Sequence, residues 1–390
     1  MNIKTIKTLF VSGVIGTLAF LLPLNAATLY VAKEGNDTSA GSVDAPFATI
    51  QKAINVAKEG DVIYVGPGTY SPISLPSSST KPHITIIGVN GAGETFIDGR
   101  GEAQCVNLTR DRYSSSYVAF TNTVIRGFTI RNGYKPGSTG AGVHGGTYIN
   151  CIVERNVAFY FAAVANALLK NCIIRFNHSE EWINTNPGIP LPPANYYGSI
   201  CGRSRLENCL IYSNESYDGK VLCGDDCEAY NCTIVGNAGR FWDYDKNSCA
   251  YNSIIYGNTN ATGAVITYAK GVNCYTDDPH FVDFEHGDYR LAGDSPCIDV
   301  GNNAYAIGDA DLAGNPRIFN GAVDIGAYEW QPETESGTED IYTETIDGTT
   351  WTYVVSNGES TICVPAVGGS AIFPAPAGVI KIPAKLGGCP

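Results

Sequence analysis

NCIVERN (Asn150–Asn156), NCIIRFN (Asn171–Asn177), NCLIYSN (Asn208–Asn214), NCTIVGN (Asn231–Asn237) and NSIIYGN (Asn252–Asn258) share one pattern. Their starts are separated by 21, 37, 23 and 21 residues, and a degenerate earlier copy, GFTIRNG, spans Gly127 to Gly133. Val143 and Val164 each lie seven residues before the opening asparagine of their copy, and Tyr148 and Leu169 lie two before it. A period of 21 to 23 residues is too short for a helix-pair repeat and lacks the spacing of leucine-rich repeats. It fits one turn of a coil made of three short strands and their bends.

Alternation along each string assigns the faces. Cys151, Cys172, Cys209 and Cys232 point inward, as do Val153, Ile174, Ile211 and Ile234 two residues on. The closing residues Asn156, Asn177, Asn214, Asn237 and Asn258 fall where the chain must bend, so each amide can bond its equivalent on the next coil. The predicted fold is all-β: a right-handed parallel β-helix, about ten coils stacked to ~48 Å at ~4.8 Å per coil.

This architecture changes how the 13 cysteines are read. In-register residues on neighbouring coils lie ~4.8 Å apart with parallel Cβ vectors, whereas a disulfide wants its Cβ atoms ~3.8 Å apart. Cys151, Cys172, Cys209 and Cys232 are therefore expected as core-filling thiols. Cys201, Cys223, Cys227 and Cys249 are less regular, and a Cys223–Cys227 bridge stays open.

The composition agrees with turn-rich β structure. Glycine numbers 44 in 390 residues, and charged residues make up 16%, against about 25% in an average protein. A formal charge of −13 argues against nucleic acid or anionic membrane as partners. Polyanions remain accessible to such a surface through bound divalent cations.

Working outward, residues 1–26 have the marks of a signal peptide: Lys4 and Lys7, an apolar run from Thr8 to Leu24, and small residues at Asn25-Ala26-Ala27. Residues 28–70 form a leading module. A strand comes first, and then Phe47, Ile50, Ala53, Ile54 and Ala57 share one face of a helix that Gly60 stops. Such a helix would plug the open end of the solenoid. Coils are expected over 61–298, starting with DVIYVGPGTY, and a Gly- and Asp-rich cap over 299–330. Residues 331–340 read as a polar linker and 341–390 as a small β module with the look of a truncated repeat. The interval of 37 residues holds an insertion, roughly His178 to Tyr197, rich in proline and aromatic residues. Solenoid insertions gather on one face, often the binding face.

The leading module LYVAKEGND…APFATIQKAINVAKEGDVIYVGPGTY resembles that of secreted bacterial pectate-lyase-like β-helix proteins. DPHFVD…GDYRLAGDSPCIDVGNN…DLAGNPRIFNGAVDIGAYE (Asp278–Glu329) resembles the choice-of-anchor Q domain that follows such helices in bacterial surface proteins. Together the two resemblances cover about Thr28 to Glu329. They imply the β-helix fold, export, and attachment outside the cell, and they do not imply one activity. The tail resembles a module that precedes bacterial surface leucine-rich repeats.

The resemblance also implies where chemistry would sit. In β-helix polysaccharide lyases, acidic residues on adjacent coils hold Ca2+ against uronate carboxylates, and a Lys or Arg removes the α proton. Here Asp225, Asp226, Asp243 and Asp245 are the candidate cation ligands, and Lys220 or Arg203 the candidate base. Trp182, Tyr196, Tyr197, Trp242 and Tyr244 are candidate sugar-stacking residues. An inverting glycosidase is a further alternative: GDD (Gly224–Asp226) and HGG (His144–Gly146) echo polygalacturonases, but in reversed order and without the basic substrate-binding tripeptide. A solvated acidic face is the plain alternative to all of these.

Two other motifs fail on context. GAGVHG (Gly140–Gly145) has no helix after it to receive a pyrophosphate. Asp309-Ala310-Asp311 is half a calcium loop, with Ala313 and Asn320 where ligands should stand. Asp311, Arg317, Asp324 and Glu329 are expected to hold the cap together. The sequence thus points to an exported, monomeric, carbohydrate-directed β-helix that binds or adheres, with a Ca2+-dependent polyuronate lyase as the alternative.

Overall fold

The computed structural model describes residues 26–75, 83–108, 123–180, 199–217, 221–224, 226–239, 248–260, 262–266, 271–332, 341–346, 349–356 and 359–362. The chain divides into two compact units, Met1–Trp330 and Gln331–Pro390.

The first unit is a right-handed parallel β-helix. One sheet (sheet I) has ten strands, running from Thr28–Val31 through Thr147–Ile149, Leu168–Lys170, Arg205–Glu207 and Glu228–Tyr230 to Gly271–Val272. A second (sheet II) has eight, from Gly68–Tyr70 to Ile254–Tyr256, and a third (sheet III) six, from Ile73–Ser74 to Val221–Gly224. Three further strands, Tyr134–Thr139, Val157–Tyr160 and His178–Ser179, line the bend between sheets II and III. In sheet I, Thr147 pairs with Leu168, Leu168 with Arg205, Arg205 with Glu228, and Glu228 with Cys249. Those offsets equal the repeat spacings in the sequence, so each NCxIxxN string lies over the one before it.

The closing asparagines satisfy one another from coil to coil. Asn156 Nδ2 donates to Asn177 Oδ1 at 2.9 Å, Asn177 to Asn214 at 2.9 Å, Asn214 to Asn237 at 3.0 Å and Asn237 to Asn258 at 2.9 Å. Each receiving oxygen also takes the backbone N–H of the lower asparagine, all at 3.0 Å. All five side chains are buried, and buried amides without partners would each cost about 1–3 kcal/mol. The opening asparagines have a different duty. Asn150, Asn171, Asn208, Asn231 and Asn252 have φ of 53°, 51°, 51°, 49° and 46°, the left-handed turn that asparagine tolerates better than most residues.

Cys151, Cys172, Cys209 and Cys232 fill the interior beside Val153, Ile174, Ile211 and Ile234. Their thiols donate to carbonyls of their own coil, as Cys172 Sγ does to Lys170 O at 3.2 Å. Ser253 takes the same place in the next coil and accepts from Cys232 N at 3.0 Å. Cys201 and Cys223 are in-register partners in sheet III. The bridge left open between Cys223 and Cys227 is not formed: both are buried, and every cysteine among the described residues is a free thiol.

At the leading end, the helix is shorter than its apolar pattern predicts, Ile50–Val56, capped by Thr49 Oγ1 accepting from Lys52 N. Phe47 lies outside it and bridges Val31. Asp37 delays the start: its carboxylate receives the N–H groups of Ala48 and Thr49 at 2.9 Å each and fixes the approach. Phe47, Ile50, Ala53 and Ile54 all pack on the interior cluster.

The 299–330 segment differs most from a simple end cap. On sheet II, Ile211, Ile234 and Ile255 face the interior, while Leu210, Val235 and Ile254 face outward. Residues from Phe281 to Trp330 fold back along that outward face. Tyr289 packs on Leu210 and Val235, and Leu291, Cys297 and Ile325 pack on Ile254. Gly326 is required there, since a Cβ would sit 2.8 Å from Ile254 Cδ1, and Ala327 N donates to Thr233 Oγ1 at 3.0 Å. Burying each of the outward aliphatics contributes about 1.5–3 kcal/mol. The segment is a side buttress.

Its own centre is polar and closed. Arg317 Nη2 donates to Glu329 Oε2 at 2.8 Å, and the two side chains are 1% and 0% exposed. Asp311 receives Asn315 N and Glu329 N, and Asp324 receives Asp299 N and Trp330 N. In the second unit, Ile341–Ile346, Thr349–Ser356 and Glu359–Ile362 form a three-stranded antiparallel sheet.

Candidate functional site

Most of the sequence-derived site residues lie outside the described residues: Lys220, Asp225, Asp243, Asp245, Trp182, Tyr196, Tyr197, Trp242 and Tyr244. Arg203 and Asp226 are described. Arg203 follows Gly202, which pairs with Gly224 in sheet III. It occupies a left-handed bend (φ 49°), and its guanidinium lies 5.8 Å from the centre of the Phe161 ring. Gly202 is obligatory beneath it, because a Cβ would fall 2.0 Å from the Phe161 ring. Asp226 also sits in a left-handed bend (φ 57°) and is exposed. A single carboxylate cannot supply the six to eight oxygens Ca2+ takes, so the described part of this patch does not by itself make a cation site.

His144, from the HGG element, is buried in sheet III, and its Nε2 meets Asn166 Nδ2 at 2.8 Å. Burial, with Lys135 and Arg203 nearby, pushes its pKa down to about 4. The ring is neutral near pH 7 and accepts from Asn166, and its role is to close the bend. Val143–His144 is a strand, consistent with a β-coil at the glycine-rich GAGVHG motif.

The acidic groups that converge among the described residues are Asp299, Asp324 and Glu329, whose oxygens lie within 4.8 Å of one another. Burial raises the pKa of both Asp324 and Glu329. Both oxygens of Asp324 and both of Glu329 already accept protein donors, Arg317 among them. The donor set is therefore saturated by the protein, and the cluster serves the buttress.

A different concave surface forms where sheet II turns toward sheet III. A cleft of about 440 Å³ is lined by Asp98, Arg100, Asn132, Tyr134, Arg155 and Val157, together with Gly101 and Gly133. The outward column of sheet II supplies it: Asp98 pairs with Arg131, Arg131 with Glu154, and Glu154 with Arg175. Arg131 Nε donates to Asp98 Oδ2 at 2.9 Å, and Arg175 Nε donates to Glu154 Oε2 at 2.8 Å. Burial raises the pKa of Asp98, but bonds from Arg100 N, Asn132 Nδ2 and Arg131 outweigh it and hold the carboxyl below its ordinary range. Three bend residues beside the column are left-handed: Asn132 at φ 54°, Arg155 at 55° and Phe176 at 55°. That bend turns Arg155 and Phe176 outward, their side chains close enough for the guanidinium to lie 5.9 Å from the ring centre. Sequence inspection did not find this cleft, because its residues come from three dissimilar strings, DGRG, RNGY and ERNV. The available signal was the column of alternating charge at one register position.

Residues 33–173 match a family described as a protein of unknown function, DUF1565. Over 77 residues the chain is 36% identical to pectate lyase PEL9 of Emericella nidulans, a stretch that is 19% of this chain and 19% of that protein. Among solved structures, pectate lyase Pel9A aligns over 82% of this chain and 98% of its own, at 15% identity and a TM-score of 0.38. A rhamnogalacturonan lyase aligns over 60% and 69% at 16% identity and a TM-score of 0.38. Rice weevil pectin methyl esterase aligns over 62% and 90% at 13% identity and 0.38.

Proposed function

We propose that this chain is an exported β-helix protein directed at polysaccharide, which it binds outside the cell. The observation that carries the reading is the 36% identity with a pectate lyase over 77 residues, found in a chain that forms a parallel coil. The signal-peptide pattern of residues 1–26 supports export, and among the described residues no helix is long and apolar enough to cross a membrane. The choice-of-anchor Q resemblance of Asp278–Glu329 supports attachment at the surface. The chain acts as a monomer in this reading.

A second reading, Ca2+-dependent β-elimination of polyuronate, is favoured by the relative's name. It would use Asp225, Asp226, Asp243 and Asp245 for Ca2+ and Lys220 or Arg203 as base.

A glycan array tests binding, and no retained polysaccharide on a broad panel overturns the proposal. Ultraviolet absorbance of unsaturated uronate products, measured with pectate and alginate with and without Ca2+, tests the lyase. A flat trace under all conditions removes it. Protease shaving of intact cells tests attachment, which predicts release of the chain into the supernatant.

A further inference from the structure

The cleft at Asp98, Arg100, Asn132, Tyr134 and Arg155 stands out electrostatically. The chain as a whole carries a formal charge of −13, yet here Arg100, Arg131, Arg155 and Arg175 stand with Asp98 and Glu154, and with exposed Glu102 two positions from Arg100. The carboxylates of Asp98 and Glu154 are already committed. Asp98 accepts from Arg131 Nε, Asn132 Nδ2 and Arg100 N, and Glu154 accepts from Arg175 Nε. Arg175 also donates to Tyr212 Oη at 2.9 Å and is anchored in the wall.

Two guanidiniums are left facing solvent. Arg155 has a side chain 62% exposed and comes no closer than 4.0 Å to Glu154. Arg100 is exposed. Among the described residues its guanidinium makes no ion pair, not even with nearby Glu102. The two come from coils on either side of Asn132, so they stand about two rungs apart, ~10 Å along the axis at ~4.8 Å per rung. That is the reach of a short oligosaccharide rather than of one small anion. Tyr134 lines the cleft between them, and Phe176, 44% exposed, continues the strip beyond Arg155. An aromatic ring takes the apolar face of a sugar, and a planar guanidinium takes an oxyanion through two parallel N–H bonds.

We propose that this cleft is a binding site for an oxyanion-bearing polysaccharide, with Arg100 and Arg155 each taking one anionic group and Tyr134 and Asn132 between them holding the sugar. It deepens the polysaccharide reading above, on which it rests. The site lies at the bend after sheet II, its lining includes neither Arg203 nor Asp226, and it needs no divalent cation.

Affinity electrophoresis tests it, with the full chain run through gels containing polygalacturonate, dextran sulfate or neutral dextran. Retardation is expected in at least one anionic gel and not in neutral dextran, and it should weaken as salt rises. The two anionic gels distinguish carboxylate from sulfate as the group recognised. Arg100→Ala and Arg155→Ala should each weaken binding about tenfold or more, and the double variant should migrate as in neutral dextran. Because both side chains are exposed, melting temperatures should stay at the wild-type value. Lysine at both positions should restore part of the retardation. A double variant retarded as strongly as wild type overturns the cleft but leaves the polysaccharide reading standing. Retardation of wild type by none of the three polymers, together with a blank glycan array, overturns both.

Discussion

Replacing Glu329 by Gln should detach the side buttress from the coil. Arg317 is 1% exposed and Glu329 0%, and their 2.8 Å contact is the direct neutralisation of a buried guanidinium. A glutamine keeps the size and can still accept from Phe319 N, the bond that Glu329 Oε1 makes at 2.9 Å. What it removes is the charge, leaving Arg317 with the carbonyls of Gly326 and Asp324 at 3.2 and 3.4 Å. Stranding one member of a buried pair costs about 3–5 kcal/mol. At about 2 °C per kcal/mol for a domain of this size, melting should fall by roughly 6–10 °C. The loss should be local. Residues 281–330 should become cleavable by protease first, because what they cover is the outward apolar row Leu210, Val235 and Ile254. Removing both charges, Arg317→Met with Glu329→Gln, should recover most of the loss, since no buried charge is left stranded and the glutamine still accepts from Phe319 N. Circular dichroism melting with timed proteolysis reads both effects. A Gln variant within about 1 kcal/mol of wild type, or a double variant less stable than the single one, would refute this account of the buttress.

Other perturbations probe the coil. Asn214→Ala removes the acceptor for Asn177 N and Nδ2 and the donor to Asn237, Ile174 and Tyr212; urea denaturation should show a loss of about 3–5 kcal/mol. Asn258→Ala, at the end of the row, should cost less. His144 titrates near 4 when folded and near 6.5 when unfolded, so the unfolded chain binds the extra proton. Its contribution is complete above pH 6.5 and is lost as pH falls toward 4, by about 3 kcal/mol. His144→Gln should flatten that part of the stability profile. Alkylation in guanidinium without reductant should label all 11 described cysteines, whereas in the native state Cys249 and Cys274, the partly exposed ones, should react first. Protection of the Cys223 and Cys227 thiols in guanidinium would mean a bridge after all.

The coil was legible because its repeat is its register. Offsets of 21, 37, 23 and 21 residues between strings reappear as Thr147, Leu168, Arg205, Glu228 and Cys249 in one row, and even the long interval returns in phase. The buttress was less legible, although its trace is present. NCLIYSN, NCTIVGN and NSIIYGN carry apolar residues on both faces of a strand, as a strand covered on both sides must. Period-two reading of Ile211 and Ile234 found one face and passed over Leu210, Val235 and Ile254. The opening asparagines were read as part of a motif, while their left-handed backbone is a property of conformation that the string does not spell out. The arginine cleft was invisible for another reason. Arg100 and Arg155 are 55 positions apart in the chain, and only the stacking of dissimilar turns brings them to one surface.

The stacking itself can be observed bond by bond. With asparagine labelled selectively in a deuterated chain, scalar couplings across hydrogen bonds should link Nδ2 of Asn156, Asn177, Asn214 and Asn237 to the side-chain carbonyl carbons of Asn177, Asn214, Asn237 and Asn258. Four such couplings, on amide protons that exchange slowly with water, are what stacked coils predict. Fast exchange with no coupling between these residues would contradict the parallel coil.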